Sequence, residues 1–245
     1  MTPQETIELI LKSNRIESIF PVDDQFDKKY TSIIAQIHPD KVGDIPGASD
    51  ATAKLNGWRD LYYDGKLYKD EITTFKTNGY WAKFIPPVDN IAQFEWSFEN
   101  MNLFHEEGKT TPQHAHFSLY IPGKIIPSVS EYGMYFNNRA IPLSGLTLPQ
   151  VHVNWVINRL LEYSSYLTEN GWVHCGFTPE TVFICPETHG IQIVSMYHLS
   201  RLGKKVGTIS AKYKNWYPSS LFTDKIADPS IDVEMIKKIS QNNRK

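Results

Sequence analysis

The sequence predicts an α+β protein: a helical N-terminal part, then short strands interrupted by a few helices. Three observations carry that reading. Apolar residues recur at helical spacing through roughly the first quarter of the chain. From about residue 67 the texture changes to short aromatic and β-branched runs bounded by Pro and Gly. A long helical stripe then returns between Val151 and Thr168. The 245 residues are 41% hydrophobic and 13% aromatic, enough apolar material for a packed core. A formal net charge of -2 gives no pull toward nucleic acid or acidic membranes. Two cysteines, Cys175 and Cys185, do not make a disulfide framework, so a reducing compartment is expected. The opening MTPQETIELILKSNR lacks the charged start and apolar run of a signal peptide, and no apolar stretch reaches membrane-spanning length. The expectation is a soluble, cytoplasmic protein with neither a membrane nor a nucleic-acid partner.

Taken in order, Ile7, Ile10 and Leu11 form one stripe after a Thr-Pro start. Asp23-Asp24 reads as a helix start, followed by Phe26, Tyr30, Ile33, Ile34 and Ile37. The polar KVGDIPG loop interrupts, and Ala48 to Tyr63 resumes helical periodicity through Ala51, Leu55, Trp58, Leu61 and Tyr62. Strands are expected at Glu71–Phe75, Tyr80–Ile85, HFSLYI and EYGMYF, with an amphipathic helix between at Ile91–Phe104. After the Val151–Thr168 helix, TVFI and GIQIV flank a PETH turn. The remainder reads as loop until a short helix near Ile231–Ile239. Residues 1–66 carry eight basic and eleven acidic residues, the rest seventeen and sixteen, so neither part is a nucleic-acid arm.

The stretch from Ile16 to Gly65 resembles a J-domain. His38-Pro39-Asp40-Lys41 closes one periodic helix, a second begins after the loop, and Asn56 and Tyr63-Asp64 fall where that family often has such residues. A lone tripeptide is weak evidence; bracketed by two helices it is much stronger. Proline disfavours helical backbone at His38, so the turn ends the helix and projects an imidazole and a carboxylate from it. The resemblance implies an antiparallel helical hairpin that docks on a DnaK-type ATPase chaperone through His38, Pro39, Asp40 and Lys41. Lys28 and Lys29 would steer the encounter with an acidic surface. The alternative is a helix-ending turn with no partner.

The stretch from Trp155 to Gly203 resembles the centre of a protein kinase. His174-Cys175-Gly176 stands where kinases carry His-Arg-Asp, Thr181 where the metal-binding Asn would be, and Ser195-Met196-Tyr197 where Asp-Phe-Gly would be. NWYPSSLF resembles the end of an activation segment, and Asp232 the buried Asp opening the next helix. Upstream, Trp81-Ala82-Lys83 resembles the lysine-bearing strand, with Glu95 or Glu99 as ion-pair partner. The pattern is similar to J-domain/kinase-like fusions of bacteria and their phages, whose loop often reads His-Gly. It implies a J-domain at 1–66, a kinase-like N-lobe at 67–150 and a minimal or truncated C-lobe at 151–245.

Phosphoryl transfer is positioning plus electrostatics around bound metal ions. Gly176 has no side chain to act as base, Ser195 replaces an anionic metal ligand, and Thr181 is a differently shaped ligand than Asn. Only Gly79 stands where a Gly-rich loop would precede Lys83. The expectation is a pseudokinase with no cofactor and no metal. Lys83 reads as a strand lysine in a structural ion pair in preference to a phosphate ligand. His174 reads as a brace for its loop. His105, His114 and His116 lie near Glu106 and Glu107 but match no compact ligand set. Lys204, Lys205, Lys212 and Lys214 make a basic stretch, more simply a solvated loop than a docking patch. Only about a dozen residues follow Asp232, so helices that cover a full lobe are expected to be missing, leaving an apolar patch. The function expected from all this is an adaptor that recruits the chaperone to a client, a partner or a second copy of itself. The rivals are an atypical kinase or nucleotide switch using Lys83, and a structural module without chaperone function.

Overall fold

The computed structural model describes every residue except 14–15, 21–24, 44, 108, 111, 129–130 and 244–245. It mixes helix and sheet, as an α+β chain should. The helix start expected at Asp23-Asp24 lies outside the described residues.

The N-terminal part holds α1 (Pro3–Lys12), α2 (Phe26–Ile37), a single turn α3 (Pro39–Val42) and α4 (Ala48–Tyr63). A reciprocal cap starts α1: Thr2 Oγ1 accepts from Glu5 N at 3.3 Å, and Glu5 Oε2 accepts from Thr2 N at 2.8 Å. Ile7, Ile10, Phe26, Ile37, Ala51 and Leu55 build its core. α2 and α4 run antiparallel, because contacts along them proceed in opposite directions. Phe26 stacks on Tyr62 at 3.8 Å, while Tyr30, one turn on, bonds Asn56 and lies 5.2 Å from the Arg59 guanidinium.

The rest begins with a five-stranded antiparallel sheet in the order β1-β2-β3-β5-β4: β1 (Lys66–Lys69), β2 (Thr74–Thr77), β3 (Trp81–Ile85), β4 (Lys124–Ser128) and β5 (Glu131–Tyr135). Two helices, α5 (Ile91–Glu107) and α6 (Pro112–Ser118), lie between β3 and β4 in sequence. Then come β6 (Ile141–Pro142), α7 (Gln150–Glu169), β7 (Trp172–Val173), the β8 (Val182–Cys185) and β9 (Gly190–Ile193) hairpin, β10 (Ser200–Arg201), α8 (Ser219–Asp224) and α9 (Pro229–Asn242). One continuous core joins the sheet to the helical C-terminal part.

Several sequence expectations need correction. Residues 70–73 are a turn: Asp70 Oδ1 accepts from Ile72 N at 2.8 Å and Thr73 N at 2.7 Å, and the strand expected at Glu71 starts at Thr74. HFSLYI ends a helix instead of forming a strand. Its aromatic residues pack on α7, with Phe117 on Tyr166 at 4.2 Å and Tyr120 on Tyr163 at 5.3 Å. β1 and β4, unforeseen, are the two edges of the sheet, and lysines on such edges blur the alternation that signals a strand. α8 and a 3-10 turn at Lys214–Trp216 replace expected loop.

Strand alternation gives the sheet two occupied faces. Phe75, Phe84 and Tyr132 face α5, where Phe98 meets Phe84 at 5.4 Å and Tyr132 at 5.1 Å. Trp81 and Tyr135, a cross-strand pair, face the N-terminal helices and belong to their core. Trp81 lies edge-on to Tyr62 at 6.2 Å, and its Nε1–H donates to Tyr62 O at 3.1 Å. Trp81→Phe loses that bond and part of the buried indole, so urea denaturation should register a loss of at least about 1 kcal/mol. An unchanged midpoint would mean the bond contributes nothing. Among the described residues, no helix is long and apolar enough to cross a membrane.

Candidate functional site

Two places carry the candidate residues. The first is the end of the helical hairpin. His38 caps α2 in extended backbone (φ -60°, ψ 130°), with its N–H donating to Ile34 O at 2.9 Å. Pro39 supplies the first residue of α3, where a missing N–H costs nothing. His38 Nδ1 accepts from Asp40 N at 3.3 Å, which fixes the ring. The Asp40 carboxylate lies 3.7 Å from that nitrogen and is 87% exposed. Lys28 and Lys41 are exposed and Lys29 is half-buried. Phe26 and Tyr62, at the other end of the hairpin, meet the sheet, so the His38 turn points away from that junction. It stands about 17 Å from it along the axis of α2.

The second place is the loop between β7 and β8, with the segment after β9. Its keystone is Asp232, wholly buried in α9. One carboxylate oxygen accepts from His174 N at 3.0 Å and Ser164 Oγ at 3.2 Å, the other from Cys175 N at 2.8 Å. Burial outweighs these three bonds and raises its pKa to about 6. The grip holds Cys175 at φ +56°, a left-handed conformation few side chains adopt. The Tyr217 hydroxyl, donating to Cys175 O at 2.8 Å, completes it.

His174 stacks on Phe177 at 4.1 Å, and its Nε2–H donates to Ser195 O at 3.0 Å. Burial lowers its pKa to about 3, so it stays neutral and braces the loop against the strand end. Thr181 Oγ1 is spent on its own loop, 2.9 Å from Thr178 Oγ1 and accepting from Thr178 N at 3.2 Å. Gly176 is where a side chain cannot go: a Cβ there would lie 2.8 Å from Cδ2 of His198. His198 is held on both sides, Nε2 by Glu71 Oε1 at 2.9 Å and Nδ1 by Thr208 Oγ1 at 2.9 Å. The neighbouring Tyr197 hydroxyl donates to Asp70 Oδ2 at 2.9 Å. The β1–β2 turn is thereby latched onto the segment that follows Ser195.

Between the five-stranded sheet and the β8–β9 hairpin, aromatic side chains meet. Phe183 lies 5.9 Å from Phe75 and 5.4 Å from Phe136, and all three are buried. Lys83 is exposed on the outer face, opposite Lys76 and on the same face as Trp81, with its ammonium 5.6 Å from the Trp81 ring. Glu95 lies on the other side of the sheet, where Oε1 accepts from the Tyr132 hydroxyl at 2.9 Å; Glu99 is exposed on α5. The expected pairing of Lys83 with Glu95 or Glu99 is therefore corrected. Residues adjacent in a strand face opposite ways, and the inward positions belong to Ala82 and Phe84.

Glu180, nearly buried, accepts from Lys212 Nζ at 2.7 Å and from the Tyr213 hydroxyl at 2.7 Å. Burial pushes the Cys175 and Cys185 thiols up, Cys185 to about 12, so both stay protonated near neutral pH. Among the described residues no group of three His, Cys, Asp or Glu side chains could hold a metal ion; His114 instead sits 3.0 Å from the Tyr166 hydroxyl.

The resemblance led to His174, Gly176, Thr181, Ser195 and Asp232: His174 bonds both Asp232 and Ser195, and Thr181 Oγ1 reaches Gly176 O at 3.5 Å. It missed Asp70, Glu71 and His198. Only the glycine at 176 hinted that something else fills the space. Neither a protein-family model nor a curated protein compared with the chain matches it.

Proposed function

We propose that the protein is a co-chaperone adaptor. The hairpin over 1–66 works as a J-domain on a DnaK-type chaperone, and the kinase-like remainder is a catalytically inert scaffold that holds a partner. One observation carries this reading. The His38-Pro39-Asp40 turn keeps an oriented imidazole and an exposed carboxylate at the free end of a hairpin whose other end is clamped to the sheet. A J-domain changes its partner's equilibrium through differential contacts, and an exposed, preset turn suits that.

The kinase-like groups support the second half. The position of the base carries a glycine packed against His198, the metal-ligand positions carry hydroxyls, one of them (Thr181) turned onto its own loop, and aromatic rings fill the cleft. A nucleotide switch built on Lys83 has no support from its place on the outer face. Cytoplasmic residence follows if the chaperone is the partner.

The test is the steady-state ATPase rate of a bacterial DnaK-type chaperone with the full chain added. Stimulation several-fold above basal is expected, and His38→Gln should abolish it while leaving the thermal melt unchanged. No stimulation at saturating protein would overturn the reading.

A further inference from the structure

A groove of about 730 Å³ runs between α5 and residues 197–208. Its floor is apolar: Leu199 and Trp172 are nearly buried. Its wall is the outer face of α5, where Trp96 is 43% exposed one turn beyond Ala92. Leu103, 47% exposed and two turns further on, continues the stripe. The rim is basic. The Arg201 guanidinium lies 3.6 Å over the Trp172 ring, and Lys204 and Lys205 are exposed beside it. Among the described residues, no carboxylate lines the groove.

The walls are fixed before anything binds. Gln93 Nε2, from α5, lies 3.3 Å from Tyr197 O and 3.1 Å from Thr208 Oγ1. Ser97 Oγ accepts from Met196 N at 2.6 Å. His198 ties Thr208 to Glu71. A preformed apolar trough with aromatic anchors and a one-sign rim is a peptide-docking surface; preorganisation lowers the ordering cost of binding.

We propose that this groove docks a short acidic segment of a partner protein: an aromatic or aliphatic anchor set between Trp96 and Trp172, with flanking Asp or Glu meeting Arg201, Lys204 and Lys205. Charge complementarity selects that occupant. Three cations beside an apolar floor suit a few carboxylates around an anchor, whereas nucleic acid asks for a longer basic track than a chain of net charge -2 offers. The proposal rests on the adaptor reading, since it names the surface through which the scaffold holds its partner.

The probe is a fluorescein-labelled amphipathic peptide with a Leu/Phe stripe and Glu flanks, compared with the same stripe flanked by Lys. Anisotropy with the full-length protein should show the Glu peptide binding at least about tenfold tighter, and more weakly as salt rises. The double variant Lys204→Glu, Lys205→Glu should lose about tenfold or more, as should Trp96→Ala; both should keep the wild-type melt and the chaperone stimulation. Equal affinity for the two peptides, no binding of the Glu peptide, or unchanged binding by the charge-reversed variant would overturn the proposal. So would a dimer in sedimentation that Trp96→Ala dissolves, which would put a second copy in the groove. If the peptide binds as described but no chaperone responds to His38→Gln, the adaptor reading fails and the docking surface stands.

Discussion

Asp232→Ala is expected to cost roughly 3–5 kcal/mol near pH 5, a large share of a typical domain's stability. The carboxylate is the acceptor for two backbone N–H groups and the Ser164 hydroxyl, all buried. Alanine leaves these donors without a partner where water cannot reach them, and releases Cys175 from its left-handed backbone. The cost should also depend on pH in a defined direction. Burial raises the Asp232 pKa from 3.8 to about 6, so the folded protein keeps a proton that the unfolded chain gives up near pH 4. The folded state then binds more protons over that window, and this contribution to stability is lost as pH rises from about 4 through 6. Other carboxylates titrate in both proteins and cancel. The gap between wild type and Asp232→Ala should therefore narrow from about pH 4 toward pH 7. Chemical denaturation across that range measures it. A gap that widens with pH would show that the three hydrogen bonds outweigh burial.

Gly176→Asp puts a carboxylate where the proposed kinase-like reading would have a base, and it should damage the protein without activating it. The new Cβ would sit 2.8 Å from Cδ2 and 3.4 Å from Cβ of His198. That ring cannot simply swing away: its side chain is 3% exposed and it is bonded to Glu71 and Thr208. Moving it breaks the latch between the β1–β2 turn and residues 197–198. The loss should be roughly 2–4 kcal/mol, combining overpacking with a broken buried pair. No phosphoryl transfer should appear, and ATP with magnesium should not raise the melting temperature of either protein. Gly176→Ala should show most of the same loss, because the clash begins at Cβ. Adding His198→Ala to Gly176→Asp should cost less than the sum of the two single changes, because the clash is relieved while the bonds to Glu71 and Thr208 are lost only once, a coupling that a double-mutant cycle isolates. A Gly176→Asp protein as stable as wild type would refute the packing argument.

The sequence by itself determined the elements whose pattern is strong and local. α4 occupies the stretch that its periodicity marks, Ala48–Tyr63, and α7 extends the Val151–Thr168 stripe by one residue at each end. The β8–β9 hairpin is a buried apolar pair around a Pro-Glu-Thr-His turn. Pro39 by its covalent geometry ends α2 at His38. Gly176, Thr181 and Ser195, on which the proposed inert scaffold rests, are also visible one letter at a time.

Tertiary structure decided what depends on partners far along the chain. Whether Lys83 or Phe84 faces inward is a matter of strand register, set by β2 and β5 and invisible in the strand's own composition. The charged edges β1 and β4 became strands only by pairing with neighbours that were easier to read. The bonds of Tyr197 to Asp70 and of His198 to Glu71 each span 127 residues, and no local pattern encodes which acid meets which ring. The same holds for the hairpin's footing on Trp81 and Tyr135. Local propensity chose the helices and the turn; burial against distant surfaces chose which side chains those elements present, and so left the Asp40 carboxylate exposed beside a half-buried His38 and packed Phe75, Phe136 and Phe183 together.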